Sequence, residues 1–381
     1  MRAGAAVVAV TVMAMSCVAV PPAQAVRRGA TPTAPAQRLA PPLRTLTVVA
    51  TGDILTEDVV NRSAARFASG GARYDFAPLF APLAPIVEWA DLAICHMELP
   101  IGAPGAQVGV VGTSPYGGHL IAAPYEIAAG IRSAGYDRCT TASNHSNDLG
   151  TAGFDTTLNA LDQAGLSHAG TARTAAELVE HPFIVNGIKV GHLSYTRSSN
   201  TGPPRDKWRL NYLPSTTKVV GDLNALRAEG AEVTILSVHI PMEMLKSPTA
   251  DDRQFVTAIT AATDVDVVII HGPHTVQPVE YVNGTLVYWS VGNMVSGMGV
   301  PGRGRYSDVR TLDGLLAAVR IAEQPNHTWT AEPWTIALCT ELSRRFVYPA
   351  ITALDTVTDP TIRQQLNSCI TRTGGVVANL H

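Results

Sequence analysis

The chain has 381 residues, of which 46% are hydrophobic and 15% charged, with a formal net charge of -3. That balance excludes a charge-rich disordered chain and offers no broad basic face for nucleic acid. The length admits one large α/β domain, or such a domain with an appendage.

Residues 1–25 read as a secretory signal peptide: Arg2 supplies a positive start, Ala3 to Val20 is nearly all apolar, and Ala23-Gln24-Ala25 closes with small residues. An uncleaved membrane anchor is the competing reading, because Ala3 to Val20 approaches spanning length. A lipid-attachment role for Cys17 fits poorly with the preceding Ala14-Met15-Ser16. The abundance of Ala and the Pro21-Pro22 pair favour cleavage, and so a secreted or envelope-associated protein. Residues 26–44 are rich in Pro and Ala without periodicity and read as an extended tether.

From Thr45 onward strands and helices alternate. Leu46 to Ala50 reads as a strand ending in Thr51-Gly52-Asp53, Phe76 to Trp89 as helix-like despite its prolines, and Asp91 to Cys95 as a second strand ending in His96-Met97-Glu98. Tyr125 to Ala134 is a helix, Gly135 to Cys139 a strand, and Phe154 to Ala164 a helix. Phe183 to Gly191 and Tyr281 to Tyr288 read as hairpins, because Asn186-Gly187 and Asn283-Gly284 supply the positive φ of a type I′ turn. Between them lie the helix-strand pairs Leu223 to Glu229 with Val233 to Val238, and Asp252 to Thr263 with Asp266 to Ile270. Helical connections beside hairpins predict a layered α/β sandwich of mixed β-sheets flanked by helices, spanning residues 45–322. Residues 323–381 read as an extension packed on that domain.

Beyond residue 25 four cysteines remain, Cys95, Cys139, Cys339 and Cys369. An even number in an exported chain points to disulfides. Cys339 and Cys369 pair within the extension. Cys95 and Cys139 are either a second disulfide or two buried free thiols.

The strand ends carry the chemistry. Asp53 closes the first strand, Glu98 the second, Asn144 and His145 the third, His239 the next, with Glu243 shortly after, and His271 and His274 the last. Open α/β sheets bring such ends to one rim, where ligands bind. Carboxylates, an amide oxygen and imidazoles converging there suit a divalent ion such as Mn, Fe or Zn. The alternative, taken one residue at a time, is a set of helix caps; Ser143, Asn144 and Asp148 are suited to capping the helix that follows.

These stretches also carry a resemblance. Thr51-Gly52-Asp53-Ile54-Leu55, Ala90-Asp91-Leu92 leading to Met97-Glu98-Leu99-Pro100, and Ser143-Asn144-His145 with Asp148-Leu149-Gly150 resemble the bacterial capsule-synthesis CapA family. Leu193-Ser194-Tyr195-Thr196 with Asn200, His239 with Glu243, Pro273 to Pro278, and Ser290-Val291-Gly292-Asn293 follow in family order. The family is named for poly-γ-glutamate capsule synthesis and export and has the calcineurin-like metallophosphoesterase fold. The resemblance implies Asp53, Glu98, Asn144, His239 and His274 as ligands of one or two divalent ions (Mn, Fe, Zn or Mg). It implies His145 as the group assisting a leaving group, with Asp148 orienting its neighbours. Asn200, Glu243, Arg197 and Arg303 are the candidate substrate-binding residues. An anionic polymer or phosphoester is the implied substrate, and membrane polymer-synthase subunits the implied partners.

The departures are specific. Leu55 stands where broader metallophosphoesterases carry a His, a loss the CapA family shares, and His96-Met97-Glu98 replaces the family's usual Asn-Leu-Glu. In a strand His96 and Glu98 face the same side, so His96 either joins the site in place of the missing imidazole or bonds nearby backbone. Gly272-Pro273-His274 replaces His-Pro-His, with His271 one position early. A shift of one residue turns a strand side chain away, so His271 reaches the site only if the chain leaves strand geometry there. Arg303, Arg305 and Arg310 either hold an anion or belong to a solvated loop. Two functions follow: a metal-dependent phosphoesterase-like hydrolase, or a non-catalytic assembly component that keeps a degenerate site.

Overall fold

The computed structural model describes residues 42–302 and 304–381; the expected signal peptide and nearly all of the expected tether lie outside them. The larger sheet runs in the order β16 (Val347–Pro349), β15 (Trp329–Thr340), β14 (Asp313–Glu323), β1 (Thr45–Ile54), β2 (Leu92–Met97), β5 (Arg138–Thr140), β6 (Ser167–Ala169). A short strand, β13 (Asn293–Val295), pairs beside the end of β1. The smaller sheet runs β11 (Val279–Val282), β12 (Thr285–Tyr288), β10 (Val267–His271), β9 (Val233–His239), β8 (Ile188–Thr196), β7 (Phe183–Val185). A separate hairpin joins β3 (Gly109–Thr113) to β4 (His119–Ala122). Both sheets mix parallel and antiparallel pairs, as the layered α/β reading expects.

Strict alternation builds the layers. Leu46, Val48 and Ala50 of β1 and Leu92 and Ile94 of β2 face Val233, Ile235, Val267 and Ile269 of the smaller sheet, all buried in one apolar cluster. Their neighbours Val49, Ala93, Cys95 and Cys139 face the other way, against helices Ile127–Ser133 and Gly150–Gln163. Helices Thr216–Ala228 and Ala250–Ala262 cover the outer face of the smaller sheet. The result is helix, sheet, sheet, helix. Among the described residues no helix is long and apolar enough to cross a membrane.

Both Asn-Gly turns form, with φ of 47° and 78° at Asn186-Gly187 and 53° and 89° at Asn283-Gly284. The stretch from Phe76 to Trp89 is three short turns, Ala77–Phe80, Ala81–Leu83 and Ala84–Val87, each with Pro at its start. A proline every few residues removes the donors that one continuous helix needs. The last segment is part of the sheet. β14 and β15 pair from Asp313↔Cys339 to Glu323↔Trp329, so the expected boundary at 322 falls inside a strand. Helix Pro360–Gly374 then packs Leu366 and Cys369 against Cys339 and Tyr348, and Cys339 and Cys369 form a disulfide.

Cys95 and Cys139 are also disulfide-bonded, directly opposite each other on the parallel strands β2 and β5. A cross-link between residues 44 positions apart restricts the unfolded chain strongly. Replacing both with alanine is expected to lower the unfolding free energy by about 2–5 kcal/mol. Urea denaturation of the variant checks this; an unmoved midpoint would show that the cross-link adds no stability.

Candidate metal centre

One irregularity at the end of β1 makes the site. Ala50 pairs with Ile94, but the next pairs are Asp53 with His96 and Ile54 with Met97, so β1 carries one extra residue there. Without the bulge Asp53 would point with Val49 toward the helices. With it, Asp53 turns toward the smaller sheet and Ile54 packs in the helix-side core. The bulge brings β1 close to β13: a Cβ on Gly52 would sit 1.9 Å from the Gly292 carbonyl oxygen. His96 and Glu98 continue the inward face of Leu92 and Ile94. His239 and His271, paired in register at the ends of β9 and β10, continue that of Val233 and Val267. After His271 the chain turns through Gly272 (φ 97°) to His274 (φ 58°), which returns over Asp53.

Asp53, His96, Glu98 and His239 each present a donor atom, and these atoms all lie within 4.8 Å of one another. All four side chains are fully buried. His96 Nε2 is 2.9 Å from His239 Nδ1 and 3.8 Å from Asp53 Oδ1. His271 stays in the strand yet reaches the site: its ring stacks on His96 with centroids 4.1 Å apart, and its Nδ1 is 3.8 Å from Asp53 Oδ1. His274 Nδ1 lies 3.0 Å from both Asp53 Oδ2 and Asn293 Oδ1, and its Nε2 3.9 Å from Glu98 Oε1. His145 Nδ1 is 2.5 Å from Asp148 Oδ2, and His145 Nε2 is 4.0 Å from Glu98 Oε1. Asp148 also accepts from the Ile121 N–H. Capping is not what this stretch does: helix Gly150–Gln163 is preceded by Leu149, and no side chain caps it.

Burial pushes the Glu98 carboxyl well above its usual range, with Asp53, Glu243 and Glu57 adding to the shift and His274 opposing it. Burial and neighbouring imidazoles lower His96 and His239 well below the ordinary histidine value, and burial takes His271 down to about 4 against the pull of Asp53. Burial opposes charge on His274 as well, but Glu98 and Asp53 outweigh it and raise that imidazole to about 10. Neutral His96, His239 and His271 are in the state a divalent ion requires of imidazole ligands, whereas Glu98 and His274 would each have to give up a proton to bind one.

The donors also fit such an ion by what they lack. Both Glu98 oxygens, Asn144 Oδ1, His239 Nε2 and both His271 nitrogens are buried without a hydrogen-bond partner. A single unmet buried group costs about 1–3 kcal/mol, more if charged, and a cation shared among them would satisfy several at once.

Other candidates fall around this cluster. Asn200 touches it, with Nδ2 3.0 Å from His145 Nδ1 and Oδ1 accepting from Asn144 Nδ2 at 3.2 Å. Glu243 acts on Glu98 and His274 through its charge. Arg197 is committed elsewhere: Asp251 and Asp252 hold its guanidinium at 2.8 and 3.0 Å, over the Phe255 ring. Arg310 is held by Asp308; Arg303 lies outside the described residues. Two contributors had no assigned role in the sequence. Asn293 braces His274, and Thr140 meets His96 Nδ1 at 2.6 Å. Only the pairing of β2 with β5 reveals the second.

Fold and pocket together define a mixed α/β protein with a buried carboxylate–imidazole centre at the carboxyl ends of its strands. The family model for the bacterial capsule synthesis protein PGA_cap matches residues 47–298, more than half of the chain, and the chain belongs to that family. The PGA biosynthesis protein CapA of Bacillus subtilis (strain 168) is 25% identical over 171 residues, 44% of this chain and 45% of that protein. The capsule biosynthesis protein CapA of Bacillus anthracis is 22% identical over 184 residues, 47% of this chain and 44% of that protein. The chain thus matches less than half the length of either relative. Among solved structures, the calcineurin-like phosphoesterase YfkN from Bacillus subtilis is similar with a TM-score of 0.45 and 14% identity, over 86% of this chain and 97% of that one.

Gly272 is confined by its surroundings. A Cβ there would lie 2.9 Å from both Cε1 and Nε2 of His239, at a φ of 97° that side chains avoid. Gly272→Ala is expected to cost about 1–3 kcal/mol and to displace His239. Thermal unfolding and metal titration check it; an unchanged melting temperature with unchanged metal uptake would contradict the crowding.

Proposed function

We propose that this protein is an exported hydrolase of phosphoesterase type that works with a divalent ion in making, moving or anchoring an anionic capsule polymer of the poly-γ-glutamate kind. The observation that carries the proposal is the buried set Asp53, His96, Glu98 and His239, with donor atoms within 4.8 Å and no hydrogen bond to either Glu98 oxygen. The family and the names of its relatives supply the capsule context; polymer, membrane synthase partners and export through residues 1–25 belong to the proposal.

Asp53, His96, Glu98 and His239 would hold the ion, with Asn144 Oδ1 and His274 beside them. Two imidazoles with two carboxylates favour Zn, Fe or Mn over Mg. A divalent ion so held polarises a phosphoryl group and lowers the pKa of a water molecule. The protein's own part is positioning and proton handling. Asp148 fixes the His145 ring through Nδ1, so that Nε2 faces the pocket as the atom that gives a proton to a departing oxygen. Asn200 Oδ1 accepts from Asn144 Nδ2 and so steadies Asn144 beside the His145 ring. The side chains are buried, which strengthens every charge interaction among them.

A second reading, an assembly component without turnover, is favoured by Leu55, buried in the helix-side core, and by Gly272, where the family carries imidazole.

The experiment is metal analysis of the protein purified from its native compartment, followed by assays on phosphomonoesters and phosphodiesters. Bound transition metal and hydrolysis are expected. Metal without hydrolysis selects the assembly reading, and no metal sinks the centre altogether. Glu98→Gln and His239→Ala are expected to remove the metal. His145→Ala is expected to keep it and to lower kcat by about 10²–10⁴-fold; metal loss in that variant would place His145 among the ligands instead.

A further inference from the structure

Cys95↔Cys139 and His96↔Thr140 are successive register pairs between β2 and β5, and the first pair is the disulfide. The cross-link therefore sets, one residue upstream, the spacing at which Thr140 Oγ1 meets His96 Nδ1, 2.6 Å. Thr140 and His96 are both fully buried, so no water competes for this contact.

A threonine hydroxyl has one proton and two lone pairs. The Cys95 carbonyl oxygen lies 3.3 Å from Thr140 Oγ1 in a geometry that accepts that proton. With the proton given to the carbonyl, Thr140 is left to accept from His96, so His96 carries its hydrogen on Nδ1. The lone pair is then on Nε2, where in the absence of an ion it accepts from His239 Nδ1–H, leaving His239 Nε2 unpartnered. His96 Nε2 is the nitrogen facing Asp53 Oδ1 at 3.8 Å and His239 Nδ1 at 2.9 Å. The rings of His271 and His239, stacked on His96 at 4.1 and 5.1 Å, hold its plane.

We infer that Thr140 is the positioning residue of the metal centre: its hydroxyl, anchored on the Cys95 carbonyl, holds His96 as the Nδ1-protonated tautomer with Nε2 presented to a divalent cation. This rests on the metal-centre reading given above. It also names the device by which an imidazole from β2, where the family usually carries asparagine, is made a usable ligand. Neutral imidazole has two tautomers, and only one of them puts a lone pair into the pocket. Partners that fix a ligand's tautomer commonly matter 10–100-fold in metal affinity.

The test uses the full chain with zinc and cobalt as probes. In the zinc-loaded protein labelled with ¹⁵N-histidine, His96 is expected to show a protonated Nδ1 and a metal-bound Nε2. Thr140→Val, which keeps the shape and loses the hydroxyl, is expected to weaken zinc binding about 10–100-fold in chelator competition and to alter the visible spectrum of bound Co(II). Thr140→Ser, which keeps the hydroxyl, is expected to restore affinity to within roughly threefold of the wild type, since it keeps the same hydrogen bond. Metal on Nδ1 of His96, or no metal on His96, overturns the inference. So does a valine variant that binds like the wild type, or a serine variant as weak as valine, which would make the effect one of packing. Wild-type protein that takes up neither ion fails at the earlier step and removes the centre itself; uptake indifferent to residue 140 removes only the role of Thr140. The ¹⁵N measurement needs no variant, so a valine protein that fails to fold leaves the inference decidable.

Discussion

Glu98 is a carboxylate sealed between two β-sheets with no hydrogen-bond donor on either oxygen. Asp53 stands beside it, equally buried, with the Gly272 N–H at 3.2 Å and His274 at 3.0 Å as its partners. Bringing such charges into a dry interior is among the costliest things a fold can do, and a protein tolerates it only with compensation nearby. Without an ion, burial drives Glu98 toward its neutral acid and His274 alone is held charged, by Glu98 and Asp53, while His96, His239 and His271 stay neutral at the strand ends that assemble them.

The same inward faces serve two purposes along their length. At one end Leu46, Val48, Leu92, Ile94, Val233, Ile235, Val267 and Ile269 glue the sheets together. At the other, the same alternation presents His96, Glu98, His239 and His271. The apolar end fixes the distance between the sheets, and that distance decides whether donors on β2 and β9 can meet. A centre built this way inherits the rigidity of the core beneath it. Its polar contacts also continue downward: His192 Nδ1 takes a hydrogen bond from Arg138, and its Nε2 lies 3.1 Å from Ser237 Oγ. The His192 nitrogens are thus paired, whereas at the rim unmet atoms of Glu98, Asn144, His239 and His271 converge on one pocket.

Much of this was legible in the residues. Alternation places His96 and Glu98 on one face, the Asn-Gly pairs announce both hairpins, and polar residues at successive strand ends point to a common rim. Asp53 reaches the pocket only through the bulge, and nothing in Thr51-Gly52 by itself reveals an extra residue, because a bulge is set by what the partner strand does. His271 looked excluded by parity, since His274 was taken as the inward residue; the turn at Gly272 and Pro273 lets both serve. The role of Thr140 depends on strand order, and that β14 and β15 are partners depends on long-range pairing. Arg197 shows the opposite failure: a free cation in the sequence, it is neutralised by Asp251 and Asp252 far along the chain.

The departures from the family pattern then read as one coupled change. A side chain at 272 would collide with His239 as it now lies. Imidazoles arrive instead from 96 and 271, stacked on each other and on opposite sheets. Each of these positions makes sense only with the others: His96 occupies the space near His239, His239 excludes a side chain at 272, and Gly272 gives its N–H to Asp53. Residues that share partners in this way do not contribute additively. Restoring histidine at 272 alone would therefore add a clash rather than a ligand, and His96 has to be understood as part of the rearranged set.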